Sequence, residues 1–327
     1  MLLDKEQLTS ITKGAVEVRS EFGWITPVRF TEAQQKIYAD HGKDDFYQKT
    51  FAAAGIRIAT RTNTSHIRFR YRLSKGSSRK YAWFDVYQNG QMTHHFGSEG
   101  MENVEGVANV TLMEGTKDVE IYLPWSRSIS LSEVEVDDGA TLEPISRSHT
   151  MLIFGDSITQ GYDAHYPSLS YASRIAALLD ADSVNKAIGG DVFFPPLLEA
   201  ADEMSPDYIT VAYGTNDWSH RSYDDVKESC RGFYQKLSAL YPNSKIFAIT
   251  PIWRASHMRK TDFGAPTYAV DDMIREVCAD LPNVTVITGW KFTPAHSDFY
   301  ADQTLHPNDL GFGIYTQNLY AELKKYI

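Results

Sequence analysis

Two cysteines, Cys230 and Cys278, are all that this chain of 327 residues contains. Each lies in a helix-like segment without metal-type spacing, so both are expected to be buried free thiols in a reducing compartment. Long apolar runs are missing as well. No stretch approaches the roughly 20 apolar residues of a membrane span, so no membrane partner is expected. The opening MLLDKEQLTS has no basic region followed by an apolar core. A secretory leader is therefore not expected, and the cytoplasm is the expected location. Basic charge is also short. Lys and Arg total 32 against 42 Asp and Glu, a net charge of −10, which argues against nucleic-acid partners. Internal repeats and low-complexity segments are absent.

What is present falls into two textures. At roughly 100–200 residues per domain, the length suggests two domains, and the pattern changes near residue 147. We expect an all-β sandwich of jelly-roll type over 1–147 and an α/β unit over 148–327. HIRFRYRL (66–73) alternates, with Ile67, Phe69 and Tyr71 on one face and three arginines on the other. YAWFDVYQNGQMTHHF (81–96) reads as two strands joined at Asn89-Gly90, a strong hairpin signal. GVANVTL, DVEIYLP and SISLSEVEV continue the series, while TEAQQKIYADHG (31–42) reads as a short helix. Short strands at near-regular spacing suggest an antiparallel sandwich.

After residue 147 short apolar strands alternate with helices. The strands are TMLIF, DSVNKAI, DYITVAY, KIFAIT and VTVIT. Apolar runs without alternation are the mark of strands covered on both faces. Five of them between helices imply a parallel sheet, with sites at its carboxyl edge. The loops at that edge carry Gly155-Asp156-Ser157, Gly189-Gly190-Asp191, Gly214-Thr215-Asn216-Asp217 and, before the last helix, Asp302-Gln303-Thr304-Leu305-His306.

These residue types fit acyl transfer. A serine hydroxyl needs a base to become a nucleophile, and His306 can serve Ser157. A carboxylate behind the ring fixes its tautomer, with Asp302 as the candidate. A tetrahedral oxyanion needs preorganised donors, which the Ser157 N–H, the Gly190 N–H and the Asn216 side chain can supply. Each motif alone is commonplace: Gly-Asp-Ser is a frequent turn, and Asn216 could merely cap a helix. Their order along successive strand ends is what carries weight. His94-His95 is not a metal pair, because neighbours in a strand point to opposite faces. Asn63, Asn109 and Asn283 open glycosylation sequons, read as incidental without a secretory signal. Tyr162, Phe193, Trp218 and Trp253 follow the candidate loops and are taken as walls of a substrate pocket, with ordinary packing as the alternative.

The blocks GDSITQG, NKAIGGD, GTND and HPNDLGF, in that order, resemble the SGNH (GDSL-type) hydrolases over roughly residues 148–327. The resemblance implies a flavodoxin-like three-layer fold, a serine esterase mechanism and no cofactor. It maps Ser157 as nucleophile, Gly190 and Asn216 as oxyanion donors and His306 as base, with Gly189 a weaker claimant than Gly190. Position 159 is Thr, which argues against the Gly-x-Ser-x-Gly elbow. The chain departs from the family at one place. Gln303 stands three residues before His306, where the family has Asp, and Asp302 stands four before. Either a one-residue bulge brings Asp302 to the ring, or a backbone carbonyl orients it. Asp309 is read as a cap of the final helix. An SGNH unit behind a jelly roll is similar to carbohydrate esterases that remove acetyl groups. The implied partner is a small ester, an acetylated sugar foremost. Other acyl substrates for an esterase, thioesterase or lipase stay open, as do a homo-oligomer and a non-catalytic carbohydrate-binding protein.

Overall fold

The computed structural model describes residues 1–100 and 104–327. Two antiparallel sheets form an N-terminal β-sandwich. One has the strand order Glu17–Glu21, Trp24–Val28, Arg127–Val136, His66–Lys75, Val104–Thr111. The other runs Thr12–Lys13, Arg57–Thr62, Lys117–Tyr122, Tyr81–Gln88, Gln91–Glu99, with Leu142–Pro144 also paired to Arg57–Thr62. Inward residues such as Phe69, Phe84, Val119, Ile121 and Leu131 fill the space between them. The Asn89-Gly90 hairpin forms as read, because both residues take the left-handed backbone (φ 50° and 75°) that a two-residue turn demands.

The last strand paired in the sandwich ends at Pro144, and the next strand begins at His149. From there a five-stranded parallel sheet runs in the order Ala181–Asn185, His149–Gly155, Tyr208–Ala212, Lys245–Ile249, Val284–Ile287. The first strand in sequence lies second in space, so the order reverses beside it, and a crevice opens at its carboxyl end. Helices cover both faces. Tyr223–Leu240 and Ala269–Cys278 pack on one, Tyr171–Leu178 and Asp309–Leu323 on the other. Cys230 and Cys278 are buried free thiols in the first of these layers. The stretch 193–204 forms only a short 3₁₀ turn at Pro195–Ala200. Asp202 beyond it is drawn inward to the buried Lys186 ammonium (2.6 Å).

The N-terminal segment does not all belong to the sandwich core. Thr31 caps the helix Glu32–Asp40, and Phe30 and Tyr38 join the core of the parallel sheet. Arg57 makes another crossing. Its buried guanidinium reaches Glu120 of the sandwich at 2.5 Å and Asp182 of the parallel sheet at 2.6 Å. Burial works against its charge, but Tyr122 and the two carboxylates outweigh that and hold it above its usual value. Arg57→Met leaves both carboxylates short of a partner. We expect a loss of about 3 kcal/mol, read as a lower urea midpoint at unchanged m-value. A midpoint equal to wild type would show that the bridge contributes nothing.

Candidate active site

Ser157 follows directly from the way its strand ends. A Cβ on Gly155 would lie 2.2 Å from Thr159 Oγ1, so only glycine lets the chain turn back this tightly. Asp156 then caps the one-turn helix Ser157–Gln160 by accepting the Ile158 N–H at 3.0 Å, and Gly161 ends it with φ 107°. Ser157 is the first residue of that turn, so its N–H has no intrahelical acceptor.

His306 arrives on a tight hairpin-like loop. Tyr300 bridges Pro307, and the Ala301 N–H donates to the His306 carbonyl at 2.8 Å. Ser157 Oγ lies 2.9 Å from His306 Nε2. On the far side of the ring, Nδ1 lies 2.8 Å from Asp302 Oδ2. An ionised carboxylate only accepts, so Nδ1 carries the hydrogen and Nε2 is left to accept from the serine. The extra residue between Asp302 and His306 is absorbed at Gln303, which takes a left-handed backbone (φ 61°). Asp302 Oδ1 accepts the N–H groups of Thr304, Leu305 and His306 at 2.9, 2.7 and 3.1 Å. Partial burial works against this carboxylate's charge. The His306 ring and the loop amides outweigh it and hold the group well below the usual carboxylate range.

The second and third loops supply donors. The Gly189 N–H is used by Gln160 (2.7 Å) and its carbonyl by Lys49 (2.8 Å). A Cβ on Gly189 would strike the Tyr162 hydroxyl at 2.2 Å. Gly190, at φ 93°, is exposed, and its N–H has no acceptor among the described residues. Of the two glycines, Gly190 therefore has the N–H available to a ligand. Asn216 lies inside the helix Thr215–His220 rather than capping it, and one of its two amide hydrogens goes to the Asp191 carbonyl (3.0 Å). The other remains for a ligand.

Several expectations need correcting. Trp218 is fully buried (0 %) and donates its ring N–H to the Ala265 carbonyl, so it packs the core and walls no pocket. Phe193 is buried likewise. Trp253 is half-buried against Tyr300 and keeps an open edge. Tyr162 stacks on the His306 ring at 5.6 Å. Asn308, not Asp309, caps the last helix, and Asp309 accepts the His165 N–H instead.

Two groups escaped the sequence reading. Asp163 Oδ2 lies 3.7 Å from His306 Nδ1, and Arg79 of the sandwich grips Asp163 with two bonds of 2.6 and 2.9 Å. The only sequence signal was the position of Asp163 just beyond GDSITQG. Asp163, Asp302 and His306 bring their ligand atoms within 4.8 Å of one another. The set does not suit a cation, because Arg79 already supplies the positive charge and Asp302 already holds Nδ1. Behind the site, burial pushes Asp156 up to about 7, Asp191 to about 6 and Asp217 to about 7.

A model of the GDSL-like lipase/acylhydrolase family matches residues 153–314. No curated protein matches the chain. Among solved structures, the salicylyl-acyltransferase SsfX3 from a tetracycline biosynthetic pathway superposes with a TM-score of 0.82 at 22% identity, covering 96% of this chain and 94% of its own. A GDSL-like protein of Bacteroides ovatus gives 0.76 at 18%, covering 99% and 97%. A family two carbohydrate esterase from Clostridium thermocellum, solved with cellohexaose, gives 0.64 at 15%, covering 84% and 93%. At these identities the likeness is one of fold.

Asp156 yields a prediction on stability. Between about pH 4, the unfolded value, and pH 7, the folded carboxyl keeps a proton that the unfolded chain has lost. Stability therefore falls steadily as pH rises across this window, from its full value below about 4 to a constant loss above about 7, where the buried carboxyl is charged. Asp156→Asn preserves an acceptor for the Ile158 N–H and removes the charge. Its Tm should exceed that of wild type at pH 8 and converge with it near pH 4. A gap that stays constant with pH would refute the assignment.

Proposed function

The segment 153–314 belongs to the GDSL-like lipase/acylhydrolase family, and from that premise we propose that the protein is a serine esterase working through an acyl-enzyme. The observation that carries this reading is the unbroken Ser157–His306–Asp302 chain at 2.9 and 2.8 Å. Ser157 Oγ attacks the ester carbonyl while His306 Nε2 takes its proton. Asp302 holds the ring and balances the imidazolium. The N–H groups of Ser157 and Gly190 and the Asn216 amide receive the oxyanion, and one such donor is typically worth about 3 kcal/mol of barrier. His306 then returns the proton to the leaving alkoxide. Water, activated by the same ring, releases the acid.

A small acyl group, acetyl on a carbohydrate, is the substrate we favour. A Cβ at Gly190 would lie 3.4 Å from the Phe46 ring, so an aromatic edge flanks the oxyanion donors and favours a short acyl chain. The fold likeness to family two carbohydrate esterases supports the sugar. A second reading replaces water by another alcohol. It is favoured by the fold likeness to a salicylyl-acyltransferase over 96% of the chain. The reach of Asp302 to the ring favours a catalytic site over a non-catalytic carbohydrate-binding one.

Hydrolysis of 4-nitrophenyl acetate tests the reading. Wild type should turn over, and Ser157→Ala should fall to the buffer rate. Equal slow rates in both would end the esterase assignment. Asp302→Ala should lose far more kcat than Gln303→Ala, by a factor of roughly 10²–10⁴. The reverse order would mean that Asp302 is not the orienting group. Added glycerol or xylose decides between water and alcohol as acceptor, since transfer shows as an acetylated product rather than free acetate.

A further inference from the structure

Two carboxylates approach His306 Nδ1, and the triad uses only one. Asp302 is in bonding range at 2.8 Å. Asp163, at 3.7 Å, is outside it but close enough for its charge to be felt. Two uncompensated carboxylates beside one ring nitrogen would favour the imidazolium too strongly for a group that must return its proton in each cycle.

The second carboxylate is compensated from the sandwich. Arg79 holds Asp163 through Nε at 2.6 Å and Nη2 at 2.9 Å, a forked geometry that fixes orientation as well as charge. The Asp163 carboxylate in turn holds the guanidinium above its usual value. The Asp163 side chain is 7 % exposed, and its backbone takes φ 67°, a conformation uncommon in a residue other than glycine. Its neighbour Tyr162 stacks on His306, and the Tyr162 hydroxyl accepts from the Ser78 N–H (3.3 Å) and lies 3.2 Å from Ser78 Oγ. The Arg79 guanidinium also lies 5.1 Å over the Tyr162 ring. Two consecutive residues of one sandwich loop, Ser78 and Arg79, thus engage the two consecutive residues that flank the ring. The loop has little room to shift. A Cβ on Gly76 would lie 2.7 Å from the backbone of Arg127 and Ser128.

The geometry points to Arg79 and Asp163 as positioning residues for His306, through which the β-sandwich balances the charge around the ring that relays the proton. The assignment of that relay rests on the esterase reading above. The charged groups acting on this ring and its carboxylates are Asp302 from its own loop, Asp163 and Asp156 from the nucleophile segment, Arg79 from the sandwich and Arg254 from the loop after the fourth strand. Asp163→Asn leaves Arg79 as an unbalanced cation, whereas Arg79→Gln leaves Asp163 as an unbalanced anion. The two changes should therefore move the ring's titration in opposite directions, which loss of packing alone would not do.

The experiment uses the full chain. The His306 ring is titrated by NMR in wild type, Asp163→Asn, Arg79→Gln, Arg79→Lys and the double variant, beside the pH dependence of 4-nitrophenyl acetate hydrolysis. We expect the midpoint to fall in Asp163→Asn and to rise in Arg79→Gln, by roughly 0.5–1 unit each. It should return near wild type in the double variant and in Arg79→Lys. The kcat of Arg79→Gln should drop roughly tenfold with KM little changed. Midpoints that stay put, or that move the same way in both single variants, overturn the proposal. If Arg79→Gln does not fold, Asp163→Asn and Arg79→Lys still decide, since the first must shift the midpoint and the second must not. If wild type leaves the ester untouched, the esterase reading falls, while the ring titration still judges the pair.

Discussion

Ser157 and His306 stand 149 residues apart and share a hydrogen bond of 2.9 Å. That distance is the constraint around which the surrounding structure is arranged. Nothing local to either residue can set it. The serine is placed by a strand end that only glycine permits, the histidine by a loop closed on itself through Tyr300 and Pro307. The two are brought into register by the sheet and by the helix Asp309–Leu323, which packs on Tyr171–Leu178 just beyond the nucleophile turn. Cross-braces tighten the arrangement. Gln160 and Asn185 join the first loop to the second, and the Ala255 N–H joins the fourth to the histidine loop through the Thr304 carbonyl.

Buried charge is the cost of this arrangement, and the buried cations Arg29 and Lys186 are met by specific partners. Among the described residues Arg29 has no carboxylate partner. Its guanidinium donates instead to the carbonyls of Ala52, Asn185, Ala187 (3.1 Å) and Lys49 (3.2 Å), and burial brings it down to about 9. This cage ties the segment between the sandwich strands Trp24–Val28 and Arg57–Thr62 to the loop that presents Gly190. Lys49 and Tyr38 grip the same loop at the Gly189 carbonyl and the Asp191 carboxyl. Lys186 is brought down to about 8 by burial despite Asp202. A loop that must present a free N–H cannot satisfy all its own polar groups, so the N-terminal helices satisfy them for it.

The sandwich is therefore more than an attachment. It contributes Arg79 beside the candidate base, and its Trp125, packed between Tyr81 and Tyr162, donates to the Ala164 carbonyl at 2.9 Å. Both contacts fall on the stretch 162–164 directly after the nucleophile turn. A displacement of the sandwich would be felt at His306 through Tyr162 and Asp163.

Much of this was legible in the residues alone. Alternation in HIRFRYRL, the Asn89-Gly90 turn and the apolar runs between helices declare two sheet types, because side-chain period and turn chemistry are local properties. The order of GDS, GGD, GTND and the histidine loop declares a site at one sheet edge, because strand direction dictates where loops gather. Burial was not legible. Trp218 follows a candidate loop just as Trp253 does, and only packing sends one into the core and leaves the other an open edge. Nor was the choice between Asp302 and a carbonyl, which turns on the single left-handed residue Gln303. Arg79 and Asp163 lie 84 residues apart and meet across the two halves of the chain, so no spacing rule could pair them. The sequence by itself determined which chemistry the strand ends could carry. The tertiary structure decided which groups complete it, because distance and desolvation exist only once the chain has closed on itself.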